Sequence, residues 1–350
     1  MKSSYLESDV RILHTDIKSR IIPMELEDRE EIIKNGVKPY ELLAYETTPS
    51  DEDEKIYNLS LELFSQKIAN AIQLVSEKIY LAKGKKLVLV SLARAGISIS
   101  VLIKRFLEKK YNIKIYHYSL SVIGTMNIDF NALDYIVNKH GSDKIQFVDG
   151  WTGKGSVQKT LKKGLSCYPN IDNNLAVLCD PGYFADLAGT HGDILVPSAT
   201  LNSTTSGLLS RAVYNKSIID ENEFFGAVFF SELSTRDKTY DFIDKISSLF
   251  DFTLTSKCEK KAVPNTSLIF NSILYKYGIK DLHFIKPGLG ETFRAINRKK
   301  PTLILINENN SVVDKNLMLL LNQLSIKLEK YPLGNFGTCG IYCDPDSDIL

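Results

Sequence analysis

The sequence predicts an α/β protein with a doubly wound, mostly parallel sheet and a smaller α/β unit behind it. Three observations predict it. Short continuous apolar runs (KLVLVS, KIQFVD, NLAVLCD) alternate with helical stretches, which is the pattern of βαβ units buried on both faces. A glycine-rich stretch, FVDGWTGKGS, follows one strand and opens a helix. A polar, basic, proline-containing segment, TLTSKCEKKAVPNTS, interrupts the alternation before it resumes. At 350 residues the chain also exceeds the roughly 150 residues expected of one domain, so two are expected.

Taken in order, residues 1–54 are polar, end in PSDEDE, and read as an arm or small helical cap. From Lys55 to Leu81, Leu59, Leu63, Ile68, Ile72, Val75 and Ile79 recur at helical spacing, predicting one long amphipathic helix. KLVLVS is a strand and ISISVLIKRFLEKK a helix entered through an Arg94–Ala95–Gly96 turn. NIKIYHYSLSV, KIQFVD and NLAVLCD are strands, separated by helices NALDYIVNKH and SVQKTLKKGL. A strand GAVFFSEL and a helix RDKTYDFIDKISSLF extend this domain over residues 55–252. The second unit, residues 262–350, is read as helix SLIFNSILYKYG, strand LHFIK, helix ETFRAINRK, strand TLILIN, helix NLMLLLNQL and strand KLEKY. There is no internal repeat or low-complexity tract.

The formal net charge is +1, which excludes a globally basic nucleic-acid binder. No apolar run approaches the roughly 20 residues that cross a bilayer. The N-terminal MKSSYLESDVRIL lacks the apolar core of a signal peptide, so a cytoplasmic protein without a membrane partner is expected. Five cysteines, an odd number without paired spacing, predict reduced thiols and no zinc site. A peptidase thiolate needs a histidine beside it on an exposed turn. Cys179 ends an apolar strand and Cys167 has no signature around it. A peptidase is therefore the least favoured reading, with His140 and His191 as distant partners.

The loop after KIQFVD carries the chemistry. Glycines let backbone N–H groups turn inward, and the helix that follows adds a partial positive charge. Thr152, Gly153, Gly155 and Ser156 are expected to hold a phosphate, with Lys154 adding a full charge. The spacing is neither a P-loop nor a dinucleotide fingerprint. Asp149, placed just before the glycines, could accept ribose hydroxyls. Its loop lies at the carboxyl end of a parallel strand, where ligands of such sheets bind.

This segment resembles the phosphoribosyl-diphosphate loop of type I phosphoribosyltransferases, with Asp149 as the second acid of their pair and Val148 where the first would stand. The resemblance implies that Arg94, Ala95 and Gly96 hold pyrophosphate. It also implies that Asp180, Gly182 and Tyr183 close over an acceptor. In order, SYLESDV, SLARAG, HYSLSVIG, IDFNALDYIVNKHG, FVDGWTGKGS, LAVLCDPGY and LVPSATLNSTTSGLLSRAV resemble the phosphoribosyltransferase family of bacterial tellurite-resistance and stress-response operons, of the StiP type. Some of its members are labelled cysteine protease. The resemblance covers residues 3–250, although Gly124–Asn127 depart from a basic turn. It implies a magnesium-dependent pentosyl transfer with Asp149 and Lys154 catalytic and Asp149 at the metal. Asn202, Ser203 and Thr204 either cap a helix or reach the acceptor. His117 shares a strand face with Ser119 and either contacts the acceptor or is simply packed.

Between residues 256 and 300, ten Lys/Arg stand against three Asp/Glu. KPGLGETFRAINRKK resembles the glycine turn and basic helix of Pelota-like RNA-binding domains, with Gly290, Glu291, Arg294 and Arg298 as the RNA-contacting set. An exposed basic helix without a ligand is the alternative. Function thus stands between a phosphoribosyltransferase, a nucleotide-sensing RNA-binding regulator without turnover, and a cysteine peptidase. Expected partners are phosphoribosyl diphosphate or a nucleotide-like molecule, RNA, and a second copy of the chain as a homodimer.

Overall fold

The computed structural model describes residues 1–124, 126–253, 265–296, 300–309, 313 and 315–342. The N-terminal segment carries strands β1 (Arg11–Ile12) and β2 (Thr15–Asp16) and a short helix α1 (Leu26–Lys34). Helix α2 (Asp51–Lys83) follows and is longer than expected at its start. The acids of PSDEDE form its first turn, where they complement the helix dipole. Ser50 caps it by accepting from the Asp53 amide, while the Asp53 carboxylate takes the Ser50 amide in return. Its apolar stripe is fully buried at Ile68, Ile72, Val75 and Ile79.

The alternation expected downstream is present as β3 (Val88–Ala93), α3 (Ala95–Tyr111), β4 (Tyr116–Ser121), α4 (Phe130–His140), β5 (Ile145–Trp151), α5 (Ser156–Gly164) and β6 (Leu175–Cys179). A short β7 (Leu187–Thr190) ends the sheet. Its strand order is β1-β4-β3-β5-β6-β7, with every neighbouring pair parallel. Alternating residues feed two layers. Leu89, Val148, Ala176 and Leu178 join an apolar cluster with α2 and α3. Val88, Val90, Phe147 and Val177 join another with α4 and α5. The sheet is doubly wound.

Two expectations fail here. GAVFFSEL does not extend the sheet: only β8 (Gly226–Ala227) is a strand, and it pairs with β2 in a separate two-stranded ribbon. The N-terminal segment is not only an arm, because β1 pairs with β4 at the sheet edge, register Arg11↔Tyr118. Helix α6 (Thr239–Ser247) packs beside α2 and α3.

The second unit holds α7 (Thr266–Lys276), β9 (Ile285–Pro287), α8 (Leu289–Ile296), β10 (Leu303–Asn307), α9 (Lys315–Gln323), β11 (Lys327–Tyr331) and β12 (Thr338–Ile341). Its sheet runs β11-β10-β12-β9, with β10 and β11 parallel and the other pairs antiparallel. The first apolar cluster continues into Leu289 and Phe293 of α8, so the two units share packed side chains.

Candidate functional site between the sheet edge and the second domain

Two turns meet at the carboxyl edge of the central sheet. A Cβ added to Gly96 would lie 2.5 Å from the Val148 carbonyl oxygen, and one on Gly150 would lie 3.1 Å from the Ala95 Cβ. Only glycine allows β5 and the Arg94–Gly96 turn to approach this closely. Asp149 stands at that junction, 9 % exposed, accepting from the Gly150 amide at 2.7 Å. Burial pushes its carboxyl up to about 7; Glu291 adds to this, while the Gly150 hydrogen bond and Arg294 oppose it.

The glycine loop is committed mainly to the protein. Thr152 donates its hydroxyl to Asp180, and its amide donates to the Cys179 carbonyl at 3.2 Å. The Lys154 ammonium donates to the carbonyls of Leu282 (2.8 Å) and Ile285 (3.0 Å) in the second domain. Burial, and then Lys286, push it down to about 8. A Cβ on Gly153 would meet Glu291 at 3.1 Å. Gly155 has φ 74° and lies under Phe184, so it serves the turn into α5. Ser156, at the start of α5, is exposed.

The acceptor set divides as well. Asp180 is fully buried and accepts from Thr152, from the Phe184 amide (2.9 Å) and from the Ala185 amide (2.8 Å), which makes it a loop-holding group. Gly182 offers its carbonyl to Thr266 of α7. Tyr183 stacks on His191 with centroids 3.6 Å apart. Asn202, Ser203 and Thr204 form a short 3₁₀ turn rather than capping an α-helix. Ser203 and Thr204 are buried, and the Thr204 hydroxyl returns to the Leu201 carbonyl. His117 is a packed histidine: Nδ1 meets the Asp9 carbonyl and Nε2 the Ser91 hydroxyl, both at 2.9 Å. Burial pushes it down to about 3, so the ring is neutral.

The second domain docks on this edge. Gly290 lies against the Trp151 indole, where a Cβ would come within 3.0 Å. Trp151 Nε1 donates to Glu291 at 3.1 Å, and Arg294 stands 3.7 Å from the same carboxylate. Asp193 accepts the amides of Leu289 (2.9 Å) and Gly337 (2.7 Å), pinning α8 from below. Burial holds the Asp193 carboxyl up at about 6 against those two bonds. Gly290 and Glu291 are therefore interdomain contacts in this arrangement, not an open RNA face. Arg298 lies outside the described residues.

Several groups escaped the sequence reading. Arg94 is buried, bonded to Glu46 and to the Leu209 carbonyl, both at 2.7 Å, so the expected pyrophosphate contact is already occupied by protein. Arg211 follows in the same loop without a hydrogen bond or ion pair among the described residues. Trp151 and Asp193 hold the domains together. None of these lies in a periodic or spaced pattern; only the concentration of polar residues in LNSTTSGLLSR pointed nearby.

Among the described residues no three His, Cys, Asp or Glu come together to hold a metal. Asp149 is the single carboxylate of its turn and holds its proton near neutrality, so the donor set does not fit a resident magnesium ion. Cys179 and Cys339 are buried free thiols, both pushed up by burial, Cys339 to about 12, while Cys167 is exposed. No helix among the described residues is long and apolar enough to cross a membrane.

A family model described as tellurite-like stress resistance cysteine protease StiP matches residues 3–247. The chain belongs to this StiP family. A second model, the Pelota RNA-binding domain, matches residues 266–343. A StiP relative from Acinetobacter baylyi, named cysteine protease StiP, is 27 % identical over 327 residues, covering 88 % of this chain and 85 % of the relative. Two solved phosphoribosyltransferases are distant likenesses. The xanthine-guanine-hypoxanthine enzyme of Helicobacter pylori has a TM-score of 0.25 at 18 % identity, over 39 % of this chain and 76 % of that one. The hypoxanthine enzyme of Trypanosoma cruzi, a point mutant complexed with its product IMP, has 0.29 at 14 %, over 51 % and 93 %. Likenesses this distant bear on neither activity nor ligand. The expectation of a phosphoribosyl-diphosphate transferase is thereby corrected: the StiP family and its relative carry a protease's name.

Proposed function

We propose that this chain is a stress-response enzyme whose chemistry is a proton transfer at Asp149, in the cleft between the sheet edge and α8, with an RNA-binding second domain over it. The observation that carries the reading is Asp149 itself. A carboxyl held near neutrality at a strand end, with a cationic side chain facing it, is suited to give or take a proton at working pH. The name of the Acinetobacter relative supports an enzyme, and the family description supports a stress role.

Peptide hydrolysis is the second reading, and the relative's name favours it. Among the described thiols only Cys167 is exposed, and no histidine is bonded to it; Cys258 and Cys343 lie outside the described residues. The test is complementation of tellurite-challenged cells by variants matched for folding and level. Asp149→Asn should lose protection while the single Cys→Ala variants keep it. Full protection by Asp149→Asn would end the first reading, and loss with one cysteine variant would establish the second.

A further inference from the structure

We propose that Arg29, Arg211 and Arg294 form a subsite for a doubly charged oxyanion, the chemistry of inorganic phosphate or a phosphate monoester. It lies apart from the glycine loop, and it rests on reading the cleft above Asp149 as the working site. The three arginines arrive from separate segments: α1, the loop after the 202–205 turn, and α8. Arg211 is the centre of the group. Its side chain is open to water, yet enough protein surrounds it that burial pushes the guanidinium down to about 10. An exposed residue enclosed in this way stands in a recess rather than on a convex surface. Arg294, Arg94 and Arg29 add to the effect, and Glu46 alone opposes it.

The neighbouring acids are engaged elsewhere. Glu46 holds Arg94 at 2.7 Å, Glu291 accepts from Trp151, and Asp149 keeps its proton near neutrality. Arg29 commits one nitrogen to the Pro39 carbonyl at 2.6 Å, leaving the rest of its fork unbonded in the described structure. Arg211 bonds to nothing described. Like charges gathered in a recess, without a matching carboxylate, cost stability until an anion arrives. Guanidinium forks match the oxygens of a tetrahedral phosphate in pairs, which fits this charge and donor count.

The test uses the full chain, with thermal melting and calorimetric titration against inorganic phosphate, 5′-AMP, and sodium chloride at matched ionic strength. Wild type should be stabilised by phosphate or 5′-AMP and not by chloride. A response to 5′-AMP alone would assign the subsite to a monoester, and a response to both to the phosphate group itself. Arg211→Met and Arg294→Met should each weaken binding about tenfold to a hundredfold, the worth of a charge-assisted hydrogen bond. Asp149→Asn should still bind, so loss of protection with binding retained separates the failure of one reading from the other. No stabilisation of wild type by either probe, or undiminished binding in Arg211→Met with a native melting curve, would overturn the subsite.

Discussion

The indole nitrogen of Trp151 donates to the Glu291 carboxylate at 3.1 Å, tying the end of β5 to the first turn of α8. Gly290 completes the contact by lying flat on the same ring. The residue that ends the strand bearing Asp149 thus also seats the second domain. Whatever moves α8 moves Arg294 relative to Asp149.

The first prediction concerns that seat. Trp151 is the protein's one tryptophan, so its emission reports the interdomain contact without labelling. Asp193→Ala removes the acceptor of the Leu289 and Gly337 amides, leaving two buried N–H groups unpaired at a cost of about 1–3 kcal/mol each. The expected result is a red-shifted Trp151 emission and faster amide exchange at Leu289 and Gly337, with the parallel sheet unchanged. Emission identical to wild type would show that Asp193 does not hold the domains.

The second prediction follows from the Asp149 proton. The folded protein keeps it up to about pH 7, whereas the unfolded chain releases it near the ordinary value of 3.8. The folded state therefore binds more protons between these values, and Asp149 costs stability as pH rises through that window. Asp149→Asn should gain on wild type from about pH 4 to pH 7 and hold a constant advantage above, on the order of 2–4 kcal/mol. Asp129 and Asp193, also raised to about 6, slope the same way in both proteins and cancel in the difference. Urea unfolding at several pH values measures it. A difference flat with pH would place the Asp149 carboxylate in water.

The third prediction concerns the thiols. In native protein, Cys167 should react with a disulfide reagent while Cys179 and Cys339 wait for denaturant, since both are buried and their thiolates disfavoured. Mass spectrometry of the labelled peptides identifies each. Rapid native labelling of Cys179 would mean that the loop after β6 opens and that a peptidase nucleophile could lie there.

How much of this was legible follows from what the sequence encodes locally. The strands of KLVLVS, KIQFVD and NLAVLC were readable because burial on both faces leaves continuous apolar runs. The meeting of Gly96 with β5 was implied by two glycine turns falling at neighbouring strand ends. GAVFFSEL misled because an apolar run can serve a loop packed under hydrophobic cover as well as a strand; Val228 and Phe230 are buried without extending the sheet. The fates of Thr152, Lys154 and Gly290 were illegible for a different reason. Each is decided by a partner far along the chain (Asp180, the Leu282 carbonyl, Trp151), and no local pattern records which distant group will claim a hydroxyl or an ammonium.

The last prediction joins the RNA-binding match to the docked helix. The matched domain spans residues 266–343, and its α8 holds Glu291 against Trp151, with Thr292 and Phe293 buried. RNA that uses the Gly290–Arg294 turn cannot reach Gly290 or Glu291 until the indole withdraws. Structured RNA added to the full chain should therefore shift Trp151 emission to the red, in step with binding followed on filters. Affinity should fall with salt as phosphate contacts release counterions. Trp151→Phe keeps a ring against Gly290 but deletes the hydrogen bond, worth about 1 kcal/mol, so RNA affinity should rise several-fold in that variant. Arg294→Glu should weaken binding and flatten the salt dependence. If RNA binds wild type with Trp151 emission unmoved, and Trp151→Phe gains nothing, the RNA lies on another face of the domain and α8 belongs to the cleft alone.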